Sequence, residues 1–149
     1  MLVNTAEIED KVIDALKNDP TLASYVKSFS RGGMNISKKQ FPFVEVGNFS
    51  YREEQLLAAS GIFVYSVDIY AGTKNLAQGV AYQGSESGTK GITGLCHDIV
   101  KVILNNHFSG AFFNIVANIN NIPRYRGDKS ETICIGKVSF TGDVWFRHS

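Results

Sequence analysis

The sequence is poor in the residues that mark a particular compartment. Only two of its 149 residues are cysteine, Cys96 and Cys134, and both lie inside apolar segments. Such positions indicate buried free thiols rather than a disulfide framework. No apolar run reaches the roughly 18 residues that a membrane-spanning helix needs, so the sequence predicts no membrane span, and we expect no membrane among the partners. The opening MLVNTAEIED lacks the basic start and apolar stretch of a secretion signal, and we expect synthesis in the cytoplasm.

An excess of charge of one sign is also absent. Fifteen Lys and Arg residues against 14 Asp and Glu residues leave a formal net charge of +1. So small a charge argues against nucleic acid or an anionic membrane as the main binding partner. The apolar fraction of 44% is typical of a folded chain, and the length suits one domain over residues 1–149.

Motifs for catalysis or cofactor binding are missing as well. The segment GSESGTKG resembles a phosphate-binding loop, but three residues separate Gly84 from Gly88 where that loop requires four. His97 has no second ligand four residues away, and the adjacent Cys96 points elsewhere around a helix. No Gly-x-Ser-x-Gly segment occurs. The sequence therefore predicts no catalytic residue, no metal site and no cofactor.

Helical periodicity is clearest at the start and in the middle of the chain. Asn4 is placed to cap a first helix, and Asp19 with Pro20 is placed to begin a short second one. The stripe of the first helix consists of Ile8, Val12, Ala15 and Leu16. The second helix is expected to continue through Leu22, Tyr25, Val26 and Phe29. The strongest pattern belongs to GITGLCHDIVKVILNN at 91–106, with Thr93, His97, Asp98, Lys101 and Asn105 on its polar side.

Alternating stretches predict four strands, FPFVEVGNFSY at 41–51, GIFVYSVDIYA at 61–71, AFFNIVANI at 111–119 and GKVSFTGDVWFR at 136–147. The intervening REEQLLAAS is interpreted as a connection, and NNIPRYRGDKSE as a turn. The glycine-rich residues 72–91 are expected to form a long loop. The order helix, two strands, helix, two strands predicts an α+β fold, a mostly antiparallel β-sheet with helices packed on one face.

The strand at 61–71 is apolar on both sides, which raises the question of what covers the side away from the helices. One side carries Phe63, Tyr65, Val67 and Ile69, and the other carries Ile62, Val64, Ser66, Asp68 and Tyr70. Two interpretations are open. The second face is mixed and wet, or covered by the loop at 72–91. Alternatively, another subunit covers it, because contiguous apolar surface marks interfaces.

Five segments, taken in order, carry a resemblance to a known family. They are DALKNDPTLASYV, FPFVEVG, YSVDIYAGTKN, GITGLCHDIVKVIL and GKVSFTGDVWFR. In this order and spacing the chain resembles the tail-terminator, or tail-completion, proteins of long-tailed bacteriophages. The resemblance implies a non-enzymatic virion-assembly protein that forms a ring, typically a hexamer, at the end of the finished tail tube.

The same resemblance implies the protein's partners and location. Such a ring stops tube polymerisation, binds the tail-tube protein on one side and presents a surface for the head-connector protein. DNA passes through it only as cargo. The protein would be a part of the virion tail that is assembled in the cytoplasm of the host bacterium.

A ring repeats one head-to-tail contact, so each subunit needs two different surfaces. We expect one on the open sheet face, and the other in the glycine-rich loop or in the turn at 124–126. The residues expected to contribute are Tyr70 and Trp145 on the sheet, Tyr82 and Gln83 in the loop, and Arg124, Tyr125 and Arg126 in the turn.

Three other functions remain compatible with the residues. A head–tail connector or neck ring protein would have a similar small α+β fold. A small-ligand-binding or enzymatic domain would use the glycine-rich loop as a lid over the sheet, with Tyr82, Gln83, Ser85, Glu86 and Ser87 as its polar groups. A monomeric interaction module is the third.

Overall fold

A computed structural model describes residues 5–31, 40–56, 60–75, 81, 83–84, 90–106, 113–120, 124–126 and 132–147. Within these ranges the helices are α1 (Thr5–Asn18), α2 (Pro20–Ala23) and α3 (Ile92–Asn105). The strands are β1 (Ser28–Arg31), β2 (Phe43–Leu56), β3 (Ser60–Asn75), β4 (Phe113–Asn120), β5 (Arg124–Arg126) and β6 (Thr132–Arg147).

The six strands form one sheet in the order β1-β2-β3-β6-β4, and β5 also pairs with β6. Only β1 and β2 are parallel among these pairs, and the others are antiparallel. The β3–β6 pair is the longest, with registered partners from Ser60 and Arg147 to Asn75 and Thr132. The predicted α+β class, with a mostly antiparallel sheet, is confirmed.

The helices pack on one face of the sheet, as the sequence patterns predict. The residues of β3 on this face include Phe63, Val67 and Ile69, all buried. They meet the apolar stripe of α3, which consists of Ile92, Leu95, Cys96, Ile99, Val102 and Ile103. A side chain at Gly136 of β6 would place its Cβ 2.6 Å from the Cys96 sulfur, so glycine permits this close helix–strand approach.

The second helix begins where the sequence predicts and ends earlier than it predicts. Asp19 caps α2 by accepting a hydrogen bond from the Leu22 N–H at 3.0 Å, and Pro20 opens the helix. The expected continuation through Phe29 is wrong, because α2 ends at Ala23 and residues 28–31 form β1. The backbone there pairs with the start of β2 instead, and Phe29 packs against the core from the strand.

Three connections are shorter than the sequence indicates. Residues 52–56 continue β2, and β3 runs on to Asn75, so the hairpin of β2 and β3 is longer than predicted. Residues 124–126 form a strand that pairs with β6 rather than a turn. In each case, pairing with a neighbouring strand satisfies backbone groups that a turn would leave to water. Asn4 and residues 57–59, 76–80 and 85–89 lie outside the described residues.

Both cysteines are free and buried, as the sequence predicts. Cys96 lies on the core side of α3 beneath the sheet, with none of its surface exposed. Burial raises the pKa of its thiol to about 12, which keeps the thiolate scarce at neutral pH. This thiol is therefore a packing group and not a nucleophile.

Candidate functional site

The sheet face away from the helices is divided into an apolar end and a polar middle. At the apolar end Phe43, Ile133 and Ile135 are buried, and Phe41 and Tyr70 pack against them. We call these five residues the second core. Its burial exists in the single chain, so this end of the face needs no partner to shield it.

The polar middle of the same face is held by side-chain hydrogen bonds. Glu45 is 1% exposed, and its Oε1 accepts a hydrogen bond from the Ser30 hydroxyl at 3.3 Å. On the neighbouring strands, the Ser139 hydroxyl donates to Asp68 Oδ1 at 2.6 Å. The described part of this face is therefore mixed, with apolar side chains at one end and hydrogen-bonded polar side chains in the middle.

The residues expected on the open face are not brought together. Tyr70 is half-buried in the second core, opposite Lys137 of β6. Trp145 pairs with Ile62, eight positions from Tyr70 along β3, which corresponds to about 27 Å. By register, the two positions lie on the same face of the sheet.

The expected loop and turn residues are only partly described. Gln83 is exposed, and Tyr82 lies outside the described residues. Arg124, Tyr125 and Arg126 pair with residues 132–134 of β6. They therefore lie along the same edge of β6 as β4, which places part of the expected second surface at a sheet edge.

A polar cluster of half-buried Tyr25, buried Asp98 and exposed Lys90 joins the segment after α2 to α3, and no sequence pattern predicts it. The Tyr25 hydroxyl donates a hydrogen bond to Asp98 Oδ2 at 2.5 Å, and Asp98 is 8% exposed. The Lys90 ammonium lies 3.5 Å from the same oxygen and 5.8 Å from the centre of the Tyr25 ring. Burial, and then the Asp98 carboxylate, raise the pKa of Tyr25 above its ordinary value. The phenol therefore remains a protonated donor.

Two open grooves flank this cluster. One, of about 580 Å³, lies between the α1–α2 junction and α3 and is lined by both polar and apolar groups, the polar ones including Asn18, Asp98, Lys101 and Asn105. The other, of about 510 Å³, is lined by residues 23–27 with Pro42 and Lys90. The Asp98 carboxylate between the grooves is bound by Tyr25 and Lys90, and these contacts stabilise the packing of α3 against the segment after α2. The arrangement offers no activated nucleophile.

In the described part of the chain, the His, Cys, Asp and Glu residues form no group of three or more that could hold a metal ion. None of the helices that the structure describes is long and apolar enough to cross a membrane.

The outer strand β4 exposes apolar side chains that the sequence patterns did not single out. Val116 is 53% exposed and Ile119 is 37% exposed. Val116 pairs with Thr141 and Ile119 with Val138, so the two apolar residues lie on opposite faces of the strand. The sequence FNIVANIN of this strand contains no charged residue and no proline. Charged residues and proline usually protect an outer strand from pairing with another chain, and β4 has neither.

Comparison with known proteins shows a similarity in fold to a solved structure, without a match in sequence. No protein-family model matches the chain, and no curated protein matches its sequence. Among solved structures, a chain from the virion of a native gene transfer agent (GTA) particle is similar, with a TM-score of 0.50 and 13% identity. The alignment covers 98% of this chain and 100% of that chain. The two chains therefore share their fold from end to end.

Proposed function

We propose that this protein is a structural component of a virion. The observation that carries the proposal is the fold likeness to a virion chain, which extends over 98% of this chain and all of the other. Fold alone does not determine function. The proposal therefore also rests on the element order, which independently resembles the tail-terminator proteins of long-tailed bacteriophages.

The chemistry of the described residues agrees with a structural role. The buried groups that could react are engaged in packing or in hydrogen bonds, as with the Cys96 thiol and the Asp98 carboxylate. Among the described residues, large apolar side chains are exposed at Leu104 of α3 and at Val116 and Ile119 of the uncharged outer strand β4. Assembly proteins function through such surfaces rather than through catalytic groups.

More narrowly, we propose that the protein forms the ring that ends a long tail tube. A ring of six subunits would stop tube polymerisation and bind the tail-tube protein and the head connector on its two sides, with DNA passing through its centre. Assembly would take place in the cytoplasm of the host bacterium. Among the expected contact residues, Trp145 and the strand at 124–126 are the better candidates, because Tyr70 is partly covered by the second core.

Binding to purified virion parts tests this function. Gold-labelled protein is mixed separately with preassembled tail tubes and with portal complexes, and both are imaged by electron microscopy. We expect label at one end of each tube and no further tube growth when tube protein is added. Label on portal complexes alone would favour a neck ring protein. Label on neither would contradict the virion proposal.

A further inference from the structure

We propose that β4 pairs through its outer edge with β1 of a second copy of this chain, so that the sheet continues from one subunit to the next. The inference rests on the proposed ring and names the contact that would build it. β4 and β1 are the two terminal strands of the described sheet. A terminal strand that is long and uncharged is a template for pairing with another strand.

The composition of β4 favours a strand as its occupant. Its eight residues contain no Lys, Glu or Pro, the residues that commonly prevent an edge strand from pairing with another chain. Val116 and Ile119 are exposed on opposite faces, so a strand laid beside β4 would gain an apolar neighbour on each face. A helix docked on one face could cover only one of them.

The geometry of a ring favours β1 of a second copy as that strand. A ring needs a contact between two different surfaces of the same chain, and β1 ends the sheet on the side opposite to β4. The first three residues of β1, Ser28, Phe29 and Ser30, are uncharged, as is β4. A β4–β1 contact covers both terminal strands of every subunit in a closed ring, whereas a β4–β4 contact gives a twofold dimer that leaves β1 terminal.

Charge placed on the β4 edge tests the contact. We expect the double variant Val116→Lys/Ile119→Lys to associate about tenfold more weakly than the parent protein, because two cross-strand pairs are lost. The readout is sedimentation equilibrium of the full chain. The matched control is Ala23→Lys, which adds the same side chain at an exposed position of α2 away from both terminal strands. Circular dichroism and the melting temperature check that each variant folds.

Cross-linking decides which strand lies on β4. Cys96 and Cys134 are buried, so a short bis-maleimide reagent reports mainly on thiols that are introduced. A mixture of the Val116→Cys and Ser28→Cys proteins is expected to give a covalent dimer of one of each. Dimers formed by Val116→Cys alone would overturn the β1 assignment. An association constant that the two lysines leave unchanged would overturn the edge contact and leave the virion proposal standing.

Discussion

Replacing Gly72 by alanine is expected to lower the free energy of unfolding by about 3 kcal/mol, because it overfills the second core. Gly72 of β3 lies between Phe43 of β2 and Ile135 of β6, and the Phe43 ring lies over it. A methyl group there would come within 3.0 Å of three carbons of that ring. Phe43 is fully buried, with Phe41 packed edge-on at 5.2 Å, so the ring has little room to move. Urea denaturation measures the loss.

Two further variants make this prediction specific. Gly94→Ala in α3 is the matched control, because its Cβ would meet only the Lys90 side chain at 3.4 Å. Gly94 lies in the first turn of α3, and alanine is favoured over glycine by about 0.5–1 kcal/mol in the middle of a helix, so this variant should gain no more than that amount and should not lose stability. In a Phe43→Ala background, Gly72→Ala should cost much less than in the parent protein. Equal losses in the two backgrounds would show that the Phe43 ring is not what excludes a methyl group.

Replacing Tyr25 by phenylalanine is expected to lower the free energy of unfolding by about 1.5–3 kcal/mol, the usual contribution of a hydrogen bond to a charged group. The ring and its packing remain, but Asp98 keeps a buried carboxylate that has lost the Tyr25 donor at 2.5 Å. Urea denaturation at neutral pH gives the loss. In an Asp98→Ala background the same substitution should have little effect, because the two side chains act as a pair.

The dependence on pH provides a second readout of this hydrogen bond. The pKa of Tyr25 is raised in the folded protein, so its stabilising contribution is complete below the ordinary value of 10.0. As the pH rises above that value, the unfolded chain loses the proton and the folded chain retains it, and the contribution declines. The difference in stability between the parent and Tyr25→Phe should therefore narrow between about pH 9 and pH 11. A constant difference would argue against the raised pKa.

Local patterns were sufficient where a segment's own residues decide its structure. The helical period of 92–105 and the alternation in 61–71 predicted α3, the central strand and the residues that face the core. Asp19 and Pro20 predicted the start of α2, because a cap depends only on adjacent residues. The α+β class followed from the order of these elements.

The sequence predictions fail where a contact with a residue distant in sequence determines the local structure. The spacing of Leu22, Tyr25 and Phe29 suits a helix, but a backbone hydrogen bond at 2.8 Å from the Lys27 N–H to the Pro42 carbonyl directs the chain onto β2. Asp98 falls on the polar side of α3 by periodicity, yet its partner Tyr25 lies 73 residues away in sequence. Neither relation has a local signal.

The surfaces that an assembly protein uses are harder to predict than its core. Alternation correctly grouped Tyr70 and Trp145 on one face, but it could not show that the second core covers part of that face. The exposure of Val116 and Ile119 follows from β4 being the last strand of the described sheet, and that position depends on its pairing with β6. Contact surfaces of this kind therefore leave little trace in sequence motifs.

The most direct test of a ring-forming virion protein is the mass of the full chain in solution over a wide concentration range, combined with negative-stain images of the same sample. The account predicts a discrete oligomer whose mass is a whole multiple of the 16.4 kDa subunit, seen as rings with a central hole. A mass that remains at 16.4 kDa up to the highest attainable concentration, with no rings in the images, would contradict it.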